Sequence, residues 1–203
     1  YLTLIFSAVL GGAISFLIAF PVLRTKGVYM VLATFAIAEI VAGIILNSDY
    51  LGGPTGMIVK AYIETEVVLV VAVIVVFLGF YIMSTRIGLA MRAVHDDEAV
   101  ADLMGVDKRA IQVGAFTIGG AIAGLSGGLY ALYFGFIEAQ YFNANISIFV
   151  LLYVLIGGTQ TAWGPLVGAS FFTLIPEALR IGDDWRFFIF GVIIVVMMIF
   201  RPE

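Results

Sequence analysis

The chain has 203 residues, 63% of them hydrophobic and only 12% charged, with a formal net charge of −4. A water-exposed domain carries about a quarter charged residues, so this composition excludes a soluble globular fold. The absence of cysteine and the single histidine exclude disulfides, thiol chemistry and a His/Cys metal cluster. Apolar runs near membrane-spanning length recur from end to end. They predict an all-α polytopic membrane helix bundle, one domain over 1–203 in contact with lipid. No cofactor, metal, catalytic residue or nucleic-acid partner is expected. The chain opens on Tyr1 and closes on Arg201-Pro202-Glu203, and is read as a fragment without its true N-terminus.

Seven apolar segments follow in chain order: 2–23, 28–47, 67–84, 110–134, 146–158, 165–179 and 186–200. The first carries Ala8 and Gly12 one turn apart and ends at Arg24 and Lys26. The second, "YMVLATFAIAEIVAGIIL", contains the one clear intramembrane charge, Glu39. A carboxylate at that depth is costly unless neutral, paired or facing water. Its helical neighbours Ala36, Ala42 and Gly43 are small, so Glu39 is expected to point into the bundle. There it would either join helices or line a solute path. "LGGPTGM", residues 51–57, then breaks the helix and exposes backbone groups. Gly52, Gly53 and Pro54 therefore join Glu39 as candidate path residues, with an ordered turn as the simpler reading.

The third segment runs into a polar loop, 85–109, where charge is concentrated. Residues 86–111 hold nine of the 24 charged side chains and the only histidine, His95. Inside the loop, "DDEAVADLM", 96–104, predicts a short helix. Asp96 or Asp97 would cap it, acids fill its first turn and Gly105 ends it. Asp107 would cap the helix that follows. Asp97, Glu98 and Asp102 form one face of the short helix, and Val100, Leu103 and Met104 the other. A helix this short does not hold alone in water, so its apolar side must pack on something. Headgroups suit so acidic a helix poorly, which leaves a groove on a partner or this chain's own bundle.

The fourth segment repeats Gly120, Gly124 and Gly128 at four-residue steps, with Gly119, Ala123 and Gly127 beside them. Such a small-residue face lets a neighbouring backbone approach closely. The same segment contains "GLSGG", 124–128, which satisfies G-x-S-x-G and raises an intramembrane serine protease using Ser126. A serine needs an adjacent base, yet His95 lies in the loop and no lysine lies within a span. The stretch 139–176 has no charge, and "GGTQTAWGP", 157–165, separates its two short segments. They are either two tilted spans or a re-entrant pair; two spans are expected. With the polar loop inside, Arg24, Lys26, Arg86, Arg92, Lys108, Arg109 and Arg201 are cytoplasmic, and Lys60, Arg180 and Arg186 external. The positive-inside bias then puts Tyr1 outside and Glu203 inside.

Three stretches in order carry a family resemblance: "RTKGVYMVLATFAIAEIVAGIILNSDYLGGPTGM" (24–57), "STRIGLAMRAVHDDEAVADLMGVDKRAIQVGAFTIGGAIAGLSGGLYA" (84–131) and "SIFVLLYVLIGGTQTAWGPLVGA" (147–169). They resemble the LivM-type permeases of branched-chain amino-acid ABC transporters. "EAVADLMG" matches the broader coupling pattern E-A-A-x-x-x-G loosely, without the Leu-Pro that follows it. The resemblance implies a permease in a prokaryotic inner membrane. Its implied partners are a second permease subunit, two cytoplasmic ATP-binding subunits and an external solute-binding protein. Glu98, Ala99, Val100, Asp102, Leu103, Met104 and Gly105 would couple to the ATPases. No lysine follows a glycine, so the chain has no G-x-x-x-x-G-K-[ST] phosphate loop of its own. The implied substrate is a branched-chain amino acid, although relatives handle urea or other small polar solutes. A competing reading is an ion- or proton-coupled transporter or channel. Glu39 would then be the ion site, and the short pair around 157–165 would be discontinuous helices.

Overall fold

The computed structural model of the chain describes residues 2–25, 27–158, 161–178 and 191. The chain divides into two compact units, 1–144 and 145–203. Helix dominates the described residues of both, because an apolar chain satisfies its backbone locally only as helix when water is excluded.

In the first unit, α1 (Leu2–Val22) is followed by α2 (Val28–Leu46), which starts after Gly27 with its φ of 58°. At the far end of α2, Asn47 closes the last turn by donating from its side-chain amide to the Gly43 carbonyl at 2.8 Å. Two single 3-10 turns, Asp49–Leu51 and Gly53–Thr55, and strand β1 (Met57–Ile58) follow. Next come α3 (Thr65–Ser84), α4 (Arg86–Asp96), α5 (Glu98–Leu103) and α6 (Lys108–Phe134). Strand β2 (Phe136–Ile137) pairs antiparallel with β1, Met57 opposite Ile137 and Ile58 opposite Phe136. Among the described residues, α1, α2, α3 and α6 are long and apolar enough to cross a membrane.

The core of this unit is the seam between α1 and α6. Leu4, Ala19 and Val22 are buried on α1, and Leu132 on α6. A carbon added at Gly124 would meet the Ser7 carbonyl and come within 3.0 Å of the Gly11 Cα. One added at Gly120 would meet the Ser15 side chain, and one at Gly128 the Ser7 side chain. The predicted glycine face is therefore filled by Ser7, Gly11 and Ser15 of α1. At Gly12, the added carbon would lie 3.3 Å from the Ala121 Cβ. Beside this seam, added carbons at Gly119 and Gly127 would meet nothing within 4 Å.

The second unit holds α7 (Ala144–Gly157, its first residue in the first unit) and α8 (Trp163–Ala178). They pack as a tight antiparallel hairpin. Gly164 abuts the carbonyls of Gly157 and Gly158, and Gly168 abuts the Tyr153 carbonyl. The rings of Tyr153 and Phe172 stack at 5.4 Å. With 14 residues, α7 is about 21 Å long, short of a hydrocarbon core of about 30 Å. The predicted segment 186–200, apart from residue 191, and Lys26, Arg180, Arg186 and Arg201 lie outside the described residues.

Candidate functional site

The polar loop folds into two helices where one was predicted. Thr85 ends α3 and starts α4 in one extended residue, its hydroxyl donating to the Ile82 carbonyl at 2.7 Å. Gly88 allows the sharp turn, because a carbon there would fall 2.5 Å from the Met83 Cα. The Arg92 guanidinium donates to the Met83 carbonyl and ties α4 back over the end of α3. Sequence reasoning counted Arg86 and Arg92 only among the cytoplasmic charges and missed this helix. Its signal was present: Ile87, Met91 and Val94 repeat at i, i+4, i+7 behind a Thr cap. Val94 is buried, while Ile87 stays exposed.

Of the two candidate caps, the structure uses Asp97. Its carboxylate accepts from the backbone N–H groups of Ala99 at 2.8 Å and Val100 at 3.1 Å. Asp96 belongs to the end of α4 instead. At the other end, Gly105 adopts φ 78°, its N–H donates to the Asp102 carbonyl, and the Val106 N–H donates to the Ala101 carbonyl. This double closure is a Schellman motif. Asp107 caps α6 by accepting from the Ala110 N–H at 3.1 Å.

The faces of α5 are arranged opposite to those of a soluble helix packed on a core. Ala101, 2% exposed, is its inward residue. Val100, Leu103 and Met104 are 54%, 88% and 80% exposed. The polar side meets α6: Glu98 Oε2 lies 2.7 Å from Lys108 Nζ, and Gln112 donates to Glu98 Oε1 at 3.3 Å. Glu98, Ala99, Asp102 and Lys108 line an open cleft of about 220 Å³. Of the two hosts expected for the apolar side, a partner groove and this chain's own bundle, the bundle does not cover Val100, Leu103 and Met104. Two end closures, Ala101 and the Glu98 contacts hold it, and the apolar side is left outward.

The other candidates lie elsewhere. Glu39, expected to point into the bundle, sits instead on an exposed face of α2 that no other described helix covers, and among the described residues it has no hydrogen-bond or ion-pair partner. It is seven residues before the end of α2, about 10 Å along the axis from the turn that follows. In that turn Gly52 and Gly53 take φ of 94° and 53°, Gly53 is buried, and Pro54 is exposed. Gly56 lies against β2, where an added carbon would come within 2.6 Å of the Ile137 carbonyl. The structure therefore makes 49–58 part of a cap with β2, at the end of α6 opposite to α5. The Ser126 hydroxyl donates to the Ala123 carbonyl of its own helix, and His95 lies in the last turn of α4. Among the described residues, no group of three His, Asp or Glu side chains is placed to hold a metal.

A family profile described as "Branched-chain amino acid transport system / permease component" matches residues 1–200. The chain is 28% identical over 233 residues to the high-affinity branched-chain amino acid transport system permease protein LivM of Escherichia coli K12. That match covers 97% of this chain and 55% of the relative. It is 25% identical to the probable branched-chain amino acid transport permease protein LivM of Methanocaldococcus jannaschii, covering all of this chain and 66% of that one. A further relative, the autoinducer 2 import system permease protein LsrC of Escherichia coli O9:H4, is 31% identical over 136 residues, 63% of this chain and 40% of its own. The chain thus spans little more than half the length of the first of these. No solved structure matches.

Proposed function

The chain belongs to the branched-chain amino acid transport system permease family, and from that premise we propose that it forms part of the pore of an ABC importer for branched-chain amino acids. It is a multi-pass membrane permease component by family and by its apolar helices. In the proposed assembly it pairs with a second permease subunit, receives solute from an external binding protein and is driven by two cytoplasmic ATPases. The polar loop with α4 and α5 faces the cytoplasm, and the 49–58 cap faces outside. Tyr1 is then outside and Glu203 inside. Glu39, Gly52, Gly53 and Pro54 are the chain's candidates for contact with the solute path.

One observation carries the reading: α5 turns its polar side to its own α6 and presents Val100, Leu103 and Met104 outward. Exposed side chains of this kind, on a helix fixed at both ends, suit the floor of an apolar groove on a partner. The ATPase is the partner that the family supplies. Closure of the ATPases would displace α5, and α6 would pass that movement to α1 through the glycine seam.

Leu103→Asp in the complete transporter is the direct test. The residue is almost fully exposed, so the fold should survive the change. ATPase co-purification and ATP-dependent leucine uptake should both fall at least tenfold, the effect of losing one central apolar anchor at an interface, about 1.4 kcal/mol or more. Uptake that continues at the wild-type rate would overturn the docking role. Uptake that ignores ATP and follows the proton gradient would favour the ion-coupled alternative.

A further inference from the structure

We propose that Glu98 is a positioning residue that locks α5 to α6, so that a push on α5 moves the spanning helix instead of swinging α5 on its own loop. The proposal rests on the docking reading above and concerns how displacement leaves α5. The two helices are joined in sequence by Met104–Asp107, at the C-terminal end of α5. That link attaches α5 to α6 at one end only, because the other end of α5 continues through Asp97 into α4. Glu98 is the first residue of α5, at its other end, and its carboxylate supplies the second joint.

Both oxygens of that carboxylate are used on α6. Oε2 takes Lys108 at 2.7 Å and Oε1 accepts from Gln112 at 3.3 Å. Lys108 and Gln112 are one helical turn apart and therefore share a face of α6, so the bidentate contact fixes rotation as well as distance. The Lys108 and Glu98 side chains are 35% and 54% exposed. A pair so open to water contributes little to fold stability. What it contributes is orientation. Beyond the latch, α6 leads into the seam with α1, where Gly124 lies against the backbone of Ser7 and Gly11, and Gly120 and Gly128 lie against the short side chains of Ser15 and Ser7. A rotation imposed at α5 would therefore reach α1 with little loss.

The experiment uses the complete transporter, with its ATPases and binding protein, in vesicles. Glu98→Lys and Lys108→Glu are compared singly and together. Lys108→Glu should retain the ATPases and hydrolyse ATP normally, yet move about fivefold or more fewer leucine molecules per ATP, the low end of measured site-to-site coupling, and Glu98→Lys should lower the same ratio. The double exchange restores the opposite-charge pair and should recover most of the wild-type ratio. An unchanged ratio in both single reversals, or no recovery in the exchange, would overturn the latch while leaving docking intact. Loss of ATPase from the wild-type complex itself would instead overturn the docking reading.

Discussion

Gly124 and Gly119 lie five residues apart on one helix, and a methyl group would have opposite consequences at the two. At Gly124 the added carbon would meet the Ser7 carbonyl and the Gly11 backbone, which cannot swing away. Gly124→Val should force α1 and α6 apart and cost about 1–3 kcal/mol, the usual range for overpacking. Gly119 opens onto free space, so Gly119→Ala should be neutral or stabilise the helix by up to about 1 kcal/mol. Thermal unfolding of the purified protein would register both signs. Both glycine rows were legible in the sequence as one small-residue face. They could not be ranked there, because rows one residue apart differ by about 100° around the axis and one partner helix covers only one of them.

At the scale of elements, α5 is the instructive case. Six residues are too few for an isolated helix, so its survival depends on how its ends are closed. Asp97→Ala removes the acceptor for the Ala99 and Val100 N–H groups and should cost α5 about 0.5–2 kcal/mol. The check is amide hydrogen exchange: residues 99–103 should exchange faster while the interior of α6 is unaffected. The Asp107 cap, the Gly105 stop and a cap at Asp96 or Asp97 were readable in advance because capping is a local interaction. The inward turn of Glu98 was not. It depends on Lys108 and Gln112, ten and fourteen residues away.

For the whole molecule, the 27 residues of α6 place α5 and the 49–58 cap about 40 Å apart along one axis. If α6 crosses the bilayer once, these two regions emerge on opposite sides. The chain has no cysteine, so single introduced thiols report this without background. Leu103→Cys should react with an impermeant thiol reagent only from the cytoplasmic side, and Tyr50→Cys, which is 91% exposed, only from outside. Reaction of both from one side would refute the proposed orientation. The apolar lengths of α1, α2, α3 and α6, the break at Gly52-Gly53, and the local closures beside α5 were all determined by the sequence itself. Each rests on a residue and its neighbours within a turn or two, and where water is absent the backbone must bond locally. Which glycine row α1 covers, that Gly56 meets β2, and that Glu98 faces α6 while Leu103 faces away were decided only by the tertiary structure. Those outcomes depend on side chains brought together across long stretches of chain, and the periodicity of any one helix carries no record of its neighbour.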